Sequence, residues 1–512
     1  MNNLRIKKSF FNAISNTAIN IIRAVLMFVV RIVFIRTLGK VYLGVDSLFT
    51  NILTVLSIAD LGISTAINYC LYKPISDNNY DRVSTIMTYY KKIYNMLGIM
   101  VLAIGMLIIP FLKLIVREPV DNLYMLYIIY LLSTVVTYFI SYKDALLTAD
   151  QNYYKSSHII GITFILMYIL RIVFLYLMPN FIIYAIIKLV MVIVQRILVN
   201  RFITNAYPDI DFNSKVELTK REQKDIFFNI RSLFINKIGN ILVTGTDNII
   251  ISALPNLGVG VVAVYTNYYS VTGMLDTILA KAILSITSSY GDLAVNEDKK
   301  IQENVFNIIS FISFFVFGLL SIGFMFLLSL LIKICFGSSF EVGYFTVLVI
   351  CLNFYLNGVI KPLDMIKEAT GNYKQDRYAN IIQAVINIIL SIVLGLSFGL
   401  FGVVLATLIS TILVPLWNKP YIAFKYIFNK NPFKYYLKQL TYLLSIVVAY
   451  MLIFFITKGI KIENDILLFF IKGTVITVLY FIIITIIYGR TKEYKFFIDS
   501  FLNLFKRKKD SD

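Results

Sequence analysis

The stretch FNAISNTAINIIRAVLMFVVRIVFIRTLG (residues 11–39) decides the fold of this chain. It is apolar for long enough to cross a bilayer, because a helix of about 20 residues spans a hydrocarbon core of about 30 Å. It also carries Arg23 and Arg31 inside that apolar run. An arginine at the centre of a bilayer costs about 2.5–3.5 kcal/mol on insertion scales. The stretch therefore indicates a membrane span whose charged face points toward protein or a water-filled cavity.

Apolar runs of similar length recur along the whole chain, which has 512 residues, 58% of them hydrophobic, and a mean hydropathy of +0.77. Soluble domains are closer to half apolar. The runs predict an all-α polytopic membrane protein with about 14 transmembrane helices. The predicted spans are 14–35, 44–69, 93–116, 121–141, 158–178, 181–199, 231–253, 258–284, 304–332, 342–361, 380–397, 402–424, 439–457 and 465–488.

Basic residues are concentrated on one side of the predicted membrane. With the N-terminus placed in the cytoplasm, 30 of the 48 Lys and Arg residues fall in cytoplasmic segments. Cytoplasmic loops of membrane proteins carry such an excess, so we predict a multi-pass protein with both termini in the cytoplasm. The same distribution accounts for the formal net charge of +19 and gives no indication of nucleic-acid binding.

The chain has few residues of the types that bind metals or act as nucleophiles. The three cysteines form no CxxC pair, and the single histidine, His158, excludes a multi-histidine metal site. We therefore predict no catalytic residue, no metal and no cofactor.

Two matches within the chain indicate an internal repeat. A shift of 216 residues superposes Asn20 on Asn236, Gly44 on Gly260, and Thr50-Asn51 on Thr266-Asn267. A shift of 220 residues superposes DALLTADQNY (144–153) on DMIKEATGNY (364–373). Six spans separate the matches, so the sequence predicts two six-helix lobes that run in the same direction, a parallel repeat used by transporters.

The repeat and the spans together predict the domain organisation. The N-lobe covers residues 1–205, a polar cytoplasmic linker covers 206–230, and the C-lobe covers 231–430. Two further helices occupy 431–488, and a basic cytoplasmic tail covers 489–512.

Polar stripes follow spans 1, 2, 7 and 8. In the first span, Asn12, Asn16, Asn20, Arg23, Met27 and Arg31 fall within an arc of about 100°. The second span carries Asp46 and Thr50 on its own stripe. Such stripes avoid lipid, so the four spans are expected to form the walls of a central polar cavity between the lobes.

Basic residues dominate this predicted lining. Arginine binds phosphate oxygens through two hydrogen bonds and stays charged at any working pH, so the lining favours a solute whose charge resides in phosphate. The candidate binding residues are Arg23, Arg31, Arg171, Lys237, Lys281, Asn20 and Asn240, with Lys188 and Arg196 as additions to the lining.

Three carboxylates within the predicted spans have two open interpretations. Asp60, Asp247 and Asp276 either pair with cations or bind a coupling ion, since buried carboxylates do both. Transport would then be coupled to Na⁺ or to H⁺, and coupling to the membrane potential is a further alternative.

The segment FIRTLGKVYLGVDSLFTNILTVLSIADLGISTAI (34–67) and the segment KEATGNYKQDRYANII (367–382) carry a family resemblance. They resemble bacterial Wzx-type polysaccharide (oligosaccharide) flippases of the multidrug/oligosaccharidyl-lipid/polysaccharide exporter superfamily. The matching residues in the first segment are Arg36-Thr37-Leu38-Gly39, Tyr42-Leu43-Gly44 and Asp60-Leu61-Gly62. The resemblance covers essentially the whole chain.

This resemblance implies a function. It implies a transporter of the bacterial cytoplasmic membrane that moves undecaprenyl-diphosphate-linked oligosaccharide outward by alternating access, for capsule, O-antigen or exopolysaccharide synthesis. Glycosyltransferases and a polysaccharide polymerase are the implied protein partners. The two C-terminal helices are similar to a pair that forms a lipid-tail groove in related lipid II flippases.

Three alternatives stay open from the sequence. A lipid II or teichoic-acid precursor flippase would need the same lining. A multidrug exporter would share the fold but export organic cations, which a cationic lining disfavours. A polysaccharide polymerase or ligase usually needs a long outer loop, and the predicted outer loops are short.

Overall fold

The computed structural model describes residues 19, 22–57, 63–150, 152–224, 226, 238–239, 241–243, 245–372, 375 and 378–509. Contacts divide the chain into two compact units, Met1–Ala263 and Val264–Asp512. The predicted linker and seventh span therefore group with the first unit by contact. The predicted lobe boundaries follow sequence equivalence instead of contact, and they stay a prediction.

In its described part the first unit consists of helices joined by short connections. They are α1 (22–38), α2 (Lys40–Leu56), α3 (Ile63–Ser76), α4 (Tyr80–Ile115), α5 (Leu123–Ser141), α6 (Asp144–Ala149), α7 (Tyr153–Leu177), α8 (Phe181–Ala206) and α9 (Asp247–Ala253). Helix α10 (Val259–Leu284) begins in this unit and continues into the second.

The described part of the second unit is helical as well. Its helices are α11 (Thr287–Asn296), α12 (Lys299–Phe336), α13 (Tyr344–Thr370), α14 (Ala379–Phe398), α15 (Leu400–Leu413), α16 (Pro415–Ile422), α17 (Phe433–Thr457), α18 (Asp465–Tyr488) and α19 (Lys492–Lys509). The π-helical turn Ala423–Ile427 extends α16.

Eleven helices of the described residues are long and apolar enough to cross a membrane. Each of them coincides with one of the fourteen predicted spans. The other three predictions, 14–35, 44–69 and 231–253, each include residues outside the described ranges, and their described parts are helical. The chain is an all-helical multi-pass membrane protein, as predicted.

Several helices extend well beyond the apolar run that predicts them. Helix α4 begins at Tyr80, thirteen residues before the predicted span, because the Asn79 side chain caps it by accepting a hydrogen bond of 2.9 Å from the Arg82 backbone N–H. The polar turns of such a helix lie outside the apolar run. Hydropathy predicts the apolar run, and the cap determines where the helix begins.

The structure explains two glycines of the family-like segment (34–67). Gly39 has a φ of +87° and separates α1 from α2, a conformation that glycine adopts without strain. Gly44 lies against the start of α10, where a Cβ atom would overlap the Val259 carbonyl oxygen. The motif therefore fixes a turn and a close helix crossing in the first unit.

The repeated decapeptide has the same local structure in both units. The Asn152 N–H donates to the Leu147 carbonyl at 2.8 Å, and the Asn372 N–H donates to the Lys367 carbonyl at 3.2 Å. The preceding aspartates also match: Asp144 pairs with Arg196 at 2.9 Å, and Asp364 pairs with Lys419 at 2.7 Å. The sequence match thus marks one helix-terminating, ion-paired motif used in each half.

The linker is an ordered part of the first unit. Residues 207–224, which we call the linker strap, bury Ile210, Phe212 and Leu218. Hydrogen bonds and ion pairs tie the strap to α4: Asp211 N–H to Ser84 Oγ at 2.9 Å, Ser214 N–H to Thr88 Oγ1 at 3.0 Å, Lys91 Nζ to Asn213 Oδ1 at 2.6 Å, Lys92 to Glu217 at 2.8 Å, and Arg82 to Glu222. Acidic strap residues thereby meet the basic end of α4.

Helices α17, α18 and α19 pack against α12. The Phe314 ring of α12 stacks on Tyr442 of α17 with 4.1 Å between centroids. The Tyr480 hydroxyl of α18 donates to the Phe315 carbonyl at 3.0 Å. The two extra helices are therefore attached to the ninth predicted span.

Candidate functional site

Four charged side chains lie together among the membrane-spanning helices of the first unit. Arg31 of α1, Arg171 of α7 and Lys188 of α8 each interact electrostatically with one carboxylate, Asp46 of α2. We call these four residues the cationic cluster. Its formal charges are three positive and one negative, so the cluster holds an excess of two positive charges.

Arg171 is the most deeply placed cation of the cluster and is 5% exposed. Its Cζ atom lies 3.7 Å from the centroid of the Tyr184 ring, and its Nε donates to the Tyr184 carbonyl at 3.3 Å. The ring and carbonyl fix the plane of the guanidinium. Its Nη2 atom is buried without a hydrogen-bond partner among the described residues, which leaves a donor edge for a ligand.

Asp46 and Lys188 are held by one tyrosine. The fully buried Tyr130 of α5 donates its hydroxyl to Asp46 Oδ1. Lys188 Nζ lies 4.2 Å from the centroid of the Tyr130 ring. The carboxylate and the ammonium are thus held at the edge and at the face of the same side chain.

Aromatic rings form the wall beside the cluster. Phe34 of α1 meets Tyr184 edge-on at 4.7 Å between centroids and meets Phe181 of α8 at 5.4 Å. All three rings are buried. Edge-to-face packing of this kind adds about 0.5–1.5 kcal/mol per pair beyond area burial, so the cluster stands on a rigid framework.

Arg23 lies at the border of this arrangement. Its Cζ atom is 4.2 Å from the centroid of the Phe164 ring, which stacks on Tyr168 at 6.2 Å. Tyr168 in turn interacts electrostatically with both Arg23 and Arg171. The structure therefore brings together Arg23, Arg31 and Arg171, the three arginines that the sequence proposes as binding residues.

The other predicted site residues lie elsewhere or outside the described ranges. Asp276 forms an ion pair of 3.2 Å with Lys361 of α13, which is charge pairing, and Lys281 is exposed in the last turn of α10. Asp247 is buried at the start of α9. Asn20, Asp60, Lys237 and Asn240 lie outside the described residues. A central cavity walled by spans 1, 2, 7 and 8 stays a prediction.

Arg196, an expected addition to the cationic lining, has a different partner. It pairs with Asp144 at the repeated decapeptide. Lys188 does join the cluster.

Sequence reasoning missed two tyrosines and underrated one carboxylate. Tyr130 and Tyr184 could not be distinguished among the 35 tyrosines of the chain. Asp46 was visible as a charge within a predicted span, and its place on the polar stripe of α2 was the signal that could have identified it.

Several uncharged polar side chains are buried in the second unit. Asn353 Nδ2 donates to the Val404 carbonyl at 3.2 Å, and Asn387 Nδ2 donates to Thr407 Oγ1 at 3.2 Å. The Oδ1 atoms of both asparagines and the Oγ of Ser391 are buried without partners among the described residues. These two hydrogen bonds join uncharged groups only. Within the described residues there is no group of three or more His, Cys, Asp or Glu residues that could hold a metal ion.

Long apolar helices with cations among them define a multi-pass membrane protein, and its fold resembles that of solved membrane transporters. The family described as "Polysaccharide biosynthesis protein" matches residues 10–287, more than half of the chain. The chain belongs to this family. The resemblance stated from the sequence is confirmed at the level of family and fold, while a search of curated proteins gives no match.

Solved structures with the same fold are transporters. The chain is similar to the "Lipid II flippase MurJ, inward closed conformation", with 16% identity over 93% of this chain and 99% of that chain and a TM-score of 0.69. It is also similar to a multidrug resistance MATE family transporter in an inward-facing conformation (14% identity, 78% and 94% covered, TM-score 0.63) and to the MATE transporter VcmN of Vibrio cholerae (13%, 82% and 97%, 0.55). At these identities the likeness shows the fold alone.

Proposed function

We propose that this protein is a flippase that moves undecaprenyl-diphosphate-linked oligosaccharide from the cytoplasmic to the outer leaflet. It would supply repeat units for capsule, O-antigen or exopolysaccharide synthesis. Membership of the polysaccharide biosynthesis family supports the pathway. We place the protein in the bacterial cytoplasmic membrane, with both termini in the cytoplasm, on the distribution of Lys and Arg.

The observation that carries this proposal is the cationic cluster with the unpartnered Nη2 edge of Arg171. A diphosphate and several sugars cannot enter hydrocarbon unaided, because burial of unpaired charge is prohibitive. The polyprenyl tail, in contrast, never needs to leave the bilayer. The cluster would neutralise the diphosphate while the lobes alternate access, and no covalent chemistry is required.

A flippase for lipid II or for teichoic-acid precursors is the alternative that the cluster supports equally, since those cargoes also present phosphate. The fold likeness to a lipid II flippase is compatible with either cargo. The cluster binds the group that these cargoes share. The sugar must be recognised elsewhere.

The other two alternatives have less support. A multidrug exporter of organic cations would place its cargo beside the three cations of the cluster, which like-charge repulsion opposes. A polymerase or ligase would need side chains that take part in a reaction. The arginines and the lysine of the cluster are instead suited to binding an anion. Glycosyltransferases are instead proposed as partners that act before the flippase, and polymerases as partners that act after it.

The ion whose gradient drives transport is a separate part of the proposal. We choose Na⁺ as the coupling ion because Asn353, Asn387 and Ser391 each have a buried oxygen without a partner among the described residues, and hard cations prefer oxygen ligands. Coupling to H⁺ or to the membrane potential would leave these oxygens without a role. Transport that is independent of Na⁺ would exclude this choice and leave the cargo assignment intact.

Genetic rescue tests the proposed function. Expression of the chain in a strain that lacks its polysaccharide flippase should restore surface polysaccharide, and Arg171→Gln should abolish the rescue. Arg36→Gln, which changes an exposed arginine at the end of α1, is the matched control and should rescue. Restored resistance to organic-cation toxins without polysaccharide would contradict the proposal and favour a multidrug exporter.

A further inference from the structure

The four residues of the cationic cluster carry more positive than negative formal charge, and diphosphates differ in the negative charge that they bring to it. Arg31, Arg171 and Lys188 contribute three formal positive charges, and Asp46 contributes one negative charge. A diphosphate esterified at both ends, as in a lipid-linked sugar, carries two negative charges. A diphosphate esterified at one end carries about three above pH 7, because the second ionisation of a terminal phosphate lies near pH 6.

We propose that Asp46 is a specificity-determining residue, which sets the net charge of the cluster so that the diphosphate diester of a glycosylated lipid is preferred over the diphosphate monoester of a lipid without sugar. This inference rests on the proposed function. Such a preference would let the protein reject the bare lipid diphosphate, which any reaction that transfers the sugar chain from the lipid carrier must release.

Asp46 is placed for this role and not for an ion pair with a single partner. All three cations interact with it electrostatically, and Tyr130 donates a hydrogen bond to its Oδ1. Tyr130 is fully buried, so this bond holds the carboxylate inside the cluster.

Burial makes the charge difference between the two diphosphates important for their binding. Arg171 is 5% exposed, and its Nη2 atom has no partner among the described residues, so a bound anion would be largely removed from water. The monoester brings one more negative charge to this site than the diester, so its burial costs more and the Asp46 carboxylate repels it more strongly.

Removing the charge of Asp46 should shift the preference toward the monoester. Asp46→Asn keeps the shape and removes the negative charge that repels the additional charge of the monoester. A unit charge at several ångströms with an effective dielectric constant of about 20 changes relative binding by at least about tenfold. Lowering the pH to about 5.5 protonates the monoester and should weaken the discrimination of the wild-type protein.

The test compares two soluble probes on the full chain in nanodiscs, by calorimetry at pH 8. Farnesyl-diphosphoryl-N-acetylglucosamine is the diester, and farnesyl diphosphate is the monoester. We expect the wild-type protein to favour the diester, and Asp46→Asn to shift the ratio of dissociation constants toward the monoester by at least about tenfold. Asp121→Asn, a change in an exposed carboxylate of the same unit, should leave the ratio unchanged.

Two further variants separate charge from structure. Tyr130→Phe keeps the carboxylate charge, so both affinities can fall while their ratio stays within about threefold, less than a lost unit charge would cause. If Asp46→Asn leaves the ratio unchanged while Arg171→Gln weakens both probes, the role of Asp46 is overturned and the proposed function stands. If the wild-type protein binds neither probe, the proposed function itself is overturned, and the role of Asp46 with it.

Discussion

Arg171 shows how a charged side chain is kept inside a membrane protein. Its guanidinium lies 3.7 Å from the Tyr184 ring centroid and donates to the carbonyl of the same residue. Asp46 supplies a counter-charge. These contacts satisfy part of the group and leave its Nη2 atom without a partner. Because this Nη2 donor has no partner among the described residues, we assign a ligand to the cationic cluster.

The planar guanidinium of Arg171 should contribute to ligand binding in addition to its charge. We expect Arg171→Lys to weaken binding of farnesyl-diphosphoryl-N-acetylglucosamine by about tenfold, because lysine keeps the charge but lacks the rigid, planar guanidinium that holds the Nη2 donor in place. Arg171→Gln should weaken it by about a hundredfold, the equivalent of one charge-assisted hydrogen bond of up to about 3 kcal/mol. Calorimetry on the reconstituted protein measures both, with Arg36→Gln as control. Equal affinity of the lysine variant and the wild type would contradict a contact that depends on the guanidinium.

The cations of the site could be predicted from the sequence, and their framework could not. Arg23, Arg31 and Arg171 stand out because basic residues are rare within apolar spans. Tyr130 and Tyr184 do not stand out, because aromatic residues are common throughout this chain. Which ring meets which cation depends on the rotation of each helix, and four of the predicted residues lie outside the described ranges.

The ion pairs of the repeated decapeptide should stabilise each unit. The side chains of Arg196 and Asp144 are 15% and 21% exposed, so Asp144→Asn leaves a mostly buried arginine without its counter-charge. We expect a loss of about 2 kcal/mol in the free energy of unfolding, below the 3–5 kcal/mol of a fully buried pair, and a similar loss for Asp364→Asn. Thermal unfolding in detergent measures both.

A surface pair provides the control for these two variants. Lys92 and Glu217 pair at 2.8 Å, but their side chains are 63% and 71% exposed. Lys92→Gln should therefore change the free energy of unfolding by less than about 1 kcal/mol. Equal effects of all three variants would mean that the pairs of the decapeptide have no special structural role.

At the scale of elements, the linker strap is the feature that the sequence described least well. Its polar composition predicts a cytoplasmic connection, and nothing in that composition predicts burial. The structure nevertheless buries Phe212, with Lys143 Nζ 4.0 Å from its ring centroid and the Tyr142 ring at 6.1 Å. Isolated apolar residues within a polar segment lack a period, so their burial is a tertiary result.

Phe212 should hold the strap in place. Phe212→Ala removes a buried ring and a cation–π contact, which we expect to cost about 3 kcal/mol of strap docking. Trypsin should then cleave within the strap, after Lys215 or Lys220, about a hundredfold faster when cleavage samples the open state. Asp209→Ala, which alters an exposed side chain of the strap away from both cleavage sites, should leave the rate unchanged. Unchanged cleavage in Phe212→Ala would show that the polar ties alone dock the strap.

Strap docking should strengthen as the pH rises. Burial, together with the neighbouring Lys91, lowers the pKa of Lys143 to about 8 from its ordinary value of 10.5. The undocked state therefore binds more protons between these values, and stability increases with pH across this range. From pH 7 to pH 9 we expect a gain of about 1 kcal/mol in docking.

Hydrogen exchange of strap amides, corrected for intrinsic rates, measures this gain. Lys143→Gln removes the titrating group and should abolish the pH dependence. A wild-type strap whose protection falls from pH 7 to pH 9 would contradict the shifted pKa of Lys143. Glu217 and Glu222, whose pKa values are lowered by their hydrogen bonds to Lys92 and Thr219, stay ionised across this range.

At the scale of the whole molecule, the sequence was informative about the fold. Eleven predicted spans coincide with helices of the described residues, because hydropathy reports directly on the lipid-facing environment. The repeat was visible because Asp144 and Asp364 serve the same ion-paired motif. Helix ends were predicted less well, since caps such as Asn79 lie outside the apolar runs. The arrangement of the two lobes around a cavity stays a prediction.

The central claim is that the cationic cluster carries a diphosphate head through the membrane. Its most direct test is transport in proteoliposomes of a fluorescent lipid-diphosphate disaccharide, measured by the fraction that becomes accessible to a quencher. We expect the wild-type protein and Arg36→Gln to transport this cargo, and the double variant Arg171→Gln, Lys188→Gln to lose at least about 90% of the rate, since each removed charge costs about tenfold or more. Transport by the double variant at the wild-type rate, or equal transport of a lipid-linked disaccharide without phosphate, would contradict the claim.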